Sequence, residues 1–491
     1  MNSERPHRSS LLLLVVLALA LSPAAGADDA GARPGSDSGS DKPAGAAAGA
    51  DKSAGAVAGR TQSGAGDRKS GPAAAEAQSG GGVVHTDAAA VGNLPPLQPP
   101  ESYRPQPQLT PEAEVFMVTI NPGLALYSTF GHTAIRIVDP PNGLDLLYNY
   151  GQSSVPFDAS FVPRFVTGEL PFMLGVSSTP GSYDFYRTAE DRSIYEQHLN
   201  LNFDEKRQLY RFLAYNALPQ NRVYIYDFFF DNCTTRVRDL FSYLFGPALS
   251  YQLHPQELSF REEIAPYLAH TPFVVLGINL VFGVPADTVP QPRHRLFLPF
   301  QLRDAIASAQ VDRGGGTAPL EREAKYLYRQ QRPDPAPPPV SPALLLWLLA
   351  AAALLLTLSP ARCSGAARGF DTALLLLVGL TGTAMALLWA FSGYLMTTAN
   401  FNLLWAWPLH LPAAFVGFRA LRRRRWLRGY FLAAGAASAG MILLSPLIPQ
   451  VFPAGGYALM TALALRSLAR GALPLIGGER WLWRDVRSKG R

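Results

Sequence analysis

Residues Tyr226–Leu240 read Tyr-Asp-Phe-Phe-Phe-Asp-Asn-Cys-Thr-Thr-Arg-Val-Arg-Asp-Leu, an aromatic, strand-like run that stops at Asp231-Asn232 and gives way to a helix. Val237, Leu240, Phe241 and Leu244 share helical spacing, and Gly246-Pro247 ends the element. With Asp231 or Asn232 as N-cap, Cys233 falls in the first turn, where unpaired N–H groups and the helix dipole favour a thiolate. A buried structural cysteine is the plainer reading of that position, and the position alone does not separate the two.

A hundred residues upstream, Ser128–Ile137 (Ser-Thr-Phe-Gly-His-Thr-Ala-Ile-Arg-Ile) place His132 at the start of a strand, directly after Gly131. Val115–Ile120 and Thr133–Val138 have strand composition. The turn Pro140-Pro141-Asn142-Gly143 leads into Leu144–Tyr150 as a hairpin partner. If Asp139 pairs with Leu144, Ala134 pairs with Asn149, and His132 and Asn149 become diagonal neighbours on one face, ~7 Å apart between backbones. Asn149 could then orient an imidazole that takes the Cys233 proton, the relation a cysteine acyl-transfer site needs; its alternative is an ordinary strand-end residue. Asp231 and Arg236 flank the cysteine and could hold an anionic headgroup, or serve as a cap and a helix-surface charge.

Outward from this core, residues 111–303 have globular composition and length enough for one exported domain. Residues 28–110 are rich in Ala, Gly, Ser and Pro and read as a disordered linker. Before them, Arg5 and Arg8, the apolar run Leu11–Leu21 and Ala25-Gly26-Ala27 form a secretory signal over residues 1–27. A Pro-rich hinge spans 304–341. Residues 342–472 then carry five apolar segments, about 342–358, 372–391, 403–418, 430–448 and 453–468, before a tail at 473–491. Basic residues follow the first, third and fifth segments, and the connections after the second and fourth have none, which puts the exported domain outside and the C-terminus in the cytoplasm. Asn400, Asn402 and His410 cluster near the outer end of the third segment, beside Pro408 and Pro412; such groups serve function or satisfy neighbouring helices.

The composition, 48% hydrophobic and 16% charged over 491 residues, excludes a single ordinary soluble domain, and the net charge of +6 is concentrated near spans, so nucleic acid is a poor partner. Two cysteines, Cys233 and Cys363, exclude a disulfide framework, and neither metal-binding spacing nor a cofactor motif is present.

The segments FGHTAIRI, LYNYG and FFFDNCTTRVRD resemble the exported domain of the bacterial DUF4105 group, whose membrane-bound members include the Lnb lipoprotein N-acyltransferases of Bacteroidota. The order His first, Cys later at a helix start, is similar to the permuted NlpC/P60 arrangement of lecithin:retinol acyltransferase-like enzymes. The resemblance implies an α+β exported domain of permuted papain type, followed by an all-α membrane domain of about five transmembrane helices. It further implies a thiol acyltransferase with Cys233 as nucleophile, His132 as base and Asn149 as orienting group. The donor would be a phospholipid, the acceptor a diacylated lipoprotein, and the location a bacterial inner membrane, with no cofactor. Asn-Leu-Leu-Trp-x-x-Pro-Leu at Asn402–Leu409 extends the resemblance into the membrane part and makes Asn402 a substrate-binding candidate. A cysteine peptidase or amidase acting on wall peptide, and a non-enzymatic membrane assembly protein, remain the alternatives.

Overall fold

A computed structural model describes residues 83–85, 98–154, 163–164, 167–334, 336–360, 364–416 and 418–476. The expected signal peptide, most of the linker, the tail beyond 476 and Cys363 lie outside the described residues.

The exported domain is built on an antiparallel sheet of seven strands. Numbered in chain order after β1 (Val83–His85), these are β2 (Glu114–Ile120), β3 (His132–Asp139), β4 (Leu144–Ser153), β5 (Pro171–Ser178), β6 (Ile194–Leu199) and β7 (Val223–Ile225), with β11 (Glu321–Tyr328) at one edge. Their order is β11-β6-β2-β3-β4-β5-β7. Central β2 is apolar on both faces because both are covered. Val115 and Met117 join Ile135 and Ile137 in the main core, while Val118 and Ile120 meet Ala134 and Leu147 on the other face. The β3–β4 hairpin turns through Pro140–Asn142 and a left-handed Gly143 (φ 63°). Asp139 pairs with Leu144 and Ile135 with Tyr148, the register expected from the turn.

A smaller sheet, order β1-β8-β9-β10, is formed by β1, β8 (Leu249–Gln252), β9 (Gln310–Asp312) and β10 (Thr317–Pro319). Helices α1 (Thr179–Asp184), α2 (Phe203–Asn216), α3 (Cys233–Phe245), α4 (Phe260–Ile264), α5 (Pro272–Val281) and α6 (Pro299–Ser308) complete the domain. Helix α3 packs across β3 and β4, burying Val237, Leu240 and Phe241 in the main core.

Three sequence-derived boundaries move. Residues 98–110 are not linker: Leu109 is buried in the main core, Thr110 N–H donates to Asp139 (2.9 Å), and the Arg211 guanidinium holds Tyr103 O (3.0 Å). The domain also runs past 303, since β11 pairs with β6; its alternating charges, suited to a sheet edge, have the polarity of a linker. Phe228–Phe230 form a turn instead of continuing a strand. Asp227 and Asp231 bridge across it, and the Asp227 carboxylate accepts from the N–H groups of Phe229 (2.8 Å) and Phe230 (3.0 Å).

The C-terminal part is helical: α7 (Pro342–Leu358), α8 (Gly365–Phe391), the short α9 (His410–Ala413) and α10 (Phe418–Arg423), α11 (Arg425–Leu444) and α12 (Ala454–Ile476). Among the described residues, α8 and the segment Arg425–Leu447 are long and apolar enough to cross a membrane. The expected third span, 403–418, is not one helix. A 3-10 turn at Phe401–Leu404 precedes α9 and α10, because Pro408 and Pro412 each lack the N–H a continuous helix needs. Arg466 and Arg470 are also not a flank beyond the fifth segment. They lie within α12, almost wholly buried, and both pair with Asp371 of α8 (2.6 and 3.4 Å).

Candidate active site at the start of helix α3

Cys233 is the first residue of α3, and Asn232 is its N-cap. The Asn232 side-chain oxygen accepts from the N–H groups of Thr234 (2.7 Å) and Thr235 (2.9 Å), and Thr235 Oγ1 accepts from Asn232 N–H (2.7 Å). The Asn232 amide donates to Phe297 O (3.0 Å), which ties the cap to the aromatic core. Thr133 and Thr234 hydroxyls meet at 3.1 Å, fixing the helix start against β3. A cap made this completely sets the position of the part-buried sulfur to within the play of one χ angle.

Two glycines let the other strands approach. Gly131 (φ +83°) turns the chain into β3, and a Cβ there would stand 2.8 Å from Ile120 O. Gly151 (φ +89°) sits where the β4–β5 register shifts, and a Cβ there would press on Cys233 Cβ at 3.4 Å.

His132 Nε2 lies 3.1 Å from Asn149 Oδ1. The Asn149 amide nitrogen faces Leu147 O (3.3 Å) and Ser177 Oγ (3.2 Å), so its oxygen is what the imidazole meets, and His132 carries its proton on Nε2. Nδ1 is then the nitrogen left for the sulfur. Burial pushes the Cys233 thiol up, but the adjacent His132 charge and hydrogen bond, then the Thr133 N–H and the Thr234 hydroxyl, outweigh it and bring the thiol down to about 7. The structure therefore brings Cys233, His132 and Asn149 together, with His132 hydrogen-bonded to Asn149 and its charge acting on the sulfur. Ser177, which steadies Asn149 and is itself 2.8 Å from Ser182 Oγ, is a member that sequence spacing did not indicate.

The thiolate should populate as pH rises through about 7, so alkylation of Cys233 by iodoacetamide is expected to rise to a plateau with that midpoint. A midpoint at the ordinary ~8.5 contradicts the geometry. Asn149→Ala leaves the imidazole free to rotate and is expected to slow Cys233 alkylation at pH 7 and to raise its midpoint, measured as initial rate against pH.

The three headgroup candidates are placed differently. Arg236 is 4% exposed and bound by both guanidinium nitrogens Nε and Nη2 to the Asp231 carboxylate, so neither is free for an anion. Asn402 is fully buried. Its amide donates to Leu280 O (3.0 Å) and its oxygen accepts from Trp405 Nε1 (3.1 Å). Asn400 donates to Leu280 O (2.8 Å) and Val281 O (2.9 Å), and Gln450 reaches Asn400 Oδ1 (3.2 Å). Side chains of the helical C-terminal part thus satisfy the last carbonyls of exported helix α5, which that helix cannot satisfy itself. Next to this clamp, Phe282 meets Phe229 edge to face (5.8 Å between centroids), and Met396 shares their core. The turn that precedes Cys233 is therefore packed directly on the loop following α8. Asn402→Ala strands Trp405 Nε1 and is expected to cost about 1–3 kcal/mol of stability; thermal unfolding in detergent checks this.

Two family models match the chain: the Lnb N-terminal periplasmic domain over residues 106–265, and the Lnb transmembrane domain over residues 335–473. The chain belongs to the Lnb family. No curated protein and no solved structure matches it. An Lnb periplasmic domain joined to an Lnb transmembrane domain makes this a membrane protein with an exported domain. The Lnb periplasmic match contains all of Cys233, His132 and Asn149, and the Lnb transmembrane match contains Asn400, Asn402 and Gln450 of the clamp.

Proposed function

We propose that the protein is a thiol acyltransferase that moves a fatty acyl chain from a phospholipid to the N-terminal amine of a diacylated lipoprotein. The observation that carries this reading is the Cys233–His132–Asn149 series, held beside a turn packed on the membrane domain. The Cys233 thiolate attacks the ester carbonyl carbon, forming the C–S bond while the carbonyl pair moves onto oxygen. Collapse breaks the C–O bond, and the lysophospholipid oxygen leaves with the proton held by His132. The acceptor amine then attacks the thioester, forming C–N and breaking C–S, and gives its proton to His132. A donor and acceptor both embedded in lipid explain why the site rests on a membrane domain: the search is confined to the interface.

The exposed arginines Arg423, Arg424 and Arg425, with half-buried Arg428, favour a cytoplasmic placement of that connection, and the site then faces the periplasmic side of the inner membrane. The test is genetic. A bacterial strain depleted of its own lipoprotein N-acyltransferase should survive when this chain is supplied, and Cys233→Ala should remove the rescue. Failure to rescue, together with release of wall peptide by the purified protein, would move the assignment to a cysteine amidase.

A further inference from the structure

A second buried group stands beside the nucleophile and has no role in the series above. Tyr224 of β7 is 7% exposed, and its hydroxyl is buried without a hydrogen-bond partner among the described residues. A donor left unpaired in the interior calls for a ligand or a function. The Cys233 N–H is a second donor with no partner among the described residues: the Asn232 cap takes the N–H groups of Thr234 and Thr235, and Asn232 O takes that of Arg236 (3.1 Å). Gly151 shows where the two meet. A Cβ built on it would stand 4.0 Å from Cys233 N, 4.0 Å from the Tyr224 hydroxyl oxygen and 3.4 Å from Cys233 Cβ. The missing side chain leaves a small space, bordered by two unpartnered donors, against the carbon that bears the nucleophile.

We propose that this space is the oxyanion site, with the Tyr224 hydroxyl and the Cys233 N–H as its donors and the Asp231–Arg236 pair positioning the tyrosine. The assignment rests on the acyltransferase reading and deepens it. As the thiolate forms its bond to the carbonyl carbon, the displaced π pair settles on the oxygen between the donors; no proton moves in that step. Collapse of the adduct returns the pair and expels the alcohol. Burial, reinforced by the nearby thiolate, raises the Tyr224 phenol well above its ordinary value, so it remains a protonated donor. The Arg236 guanidinium lies 4.0 Å from the Tyr224 ring centroid and is itself held by Asp231. It fixes the ring and draws charge from it, strengthening the hydroxyl as a donor. The charged residues beside the cysteine thus have a use that does not need contact with a headgroup.

The experiment compares two reactions of Cys233 in the full-length protein in detergent: acylation by a short-chain 4-nitrophenyl ester, which passes through an oxyanion, and alkylation by iodoacetamide, which does not. Tyr224→Phe is expected to slow acylation ~10²–10³-fold and leave alkylation within about twofold of wild type. Arg236→Lys keeps the charge without the fork and should show the same split with a smaller loss. Equal acylation in Tyr224→Phe and wild type overturns the oxyanion assignment alone, as does a parallel fall in both reactions, the mark of a merely structural tyrosine. A wild-type protein that alkylates yet never accepts an acyl group overturns the acyltransferase reading and this assignment with it.

Discussion

Replacing Cys233 by alanine is expected to abolish acyl transfer, lowering the rate by ~10⁴-fold or more, with little change in folding. The mechanism proposed above has one nucleophile, and the other members of the series have no covalent path around it. The structural loss is small by comparison. Cys233 is part-buried at the rim of the main core, and its helix is anchored by the Asn232 cap and by Val237, Leu240 and Phe241. Cys233→Ser should be almost as inactive, because His132 lowers a thiol to about 7 but leaves a hydroxyl far from ionisation. Labelled phospholipid incorporation, read beside the unfolding temperature, separates chemical loss from misfolding.

His132→Ala has the second largest expected effect, through two routes. The proton acceptor is lost, which for general acid–base catalysis is worth ~10²–10⁴-fold. The cysteine also loses the group that most offsets its burial. In the wild type, burial raises the thiol and His132 lowers it, with a net result of about 7. Without the imidazole, the Thr133 N–H and Thr234 hydroxyl are left to oppose burial, and the thiol midpoint moves upward. Iodoacetamide alkylation at pH 7 should therefore slow in His132→Ala and recover at alkaline pH, whereas acyl transfer should not recover. An unchanged midpoint would mean that the imidazole does not face the sulfur.

Much of the site could be read from local signals. The turn at Pro140–Gly143 fixes the β3–β4 register, the register puts His132 and Asn149 on one face, and the Asp-Asn-Cys-Thr-Thr run carries its own cap. Each of these depends on residues a few positions apart, or on one short hairpin. What was not legible depends on distant pairings. Glu321–Tyr328 is too polar to announce itself as a strand, and it becomes one because β6 offers an unpaired edge. The Phe228–Phe230 run has the composition of a strand, yet Asp227 turns the chain so that the rings fill a core shared with Phe260, Phe282, Phe297 and Met396. Asn402 looks like an intramembrane binding residue until the free carbonyls of α5 appear opposite it. Buried Arg466 and Arg470 resemble a cytoplasmic flank until Asp371 is brought against them.

The clamp of Asn400, Asn402 and Gln450 on α5 gives the fold a functional consequence. It ties α5, whose neighbour Phe282 packs on the turn before Cys233, to the helical C-terminal part, and under the proposed mechanism this presents the nucleophile at a fixed place relative to the lipid. Weakening the clamp should therefore reduce reaction with phospholipid more than reaction with a water-soluble ester.

The most direct measurement is the intact mass of the purified full-length protein after incubation with a phospholipid of defined acyl chains, followed by addition of a diacylated lipopeptide with a free N-terminal amine. A mass increase of one acyl chain, located on Cys233, cleaved by hydroxylamine and discharged to the lipopeptide amine, is the predicted result. An unmodified Cys233 in protein that transfers the acyl chain at full rate would contradict the account.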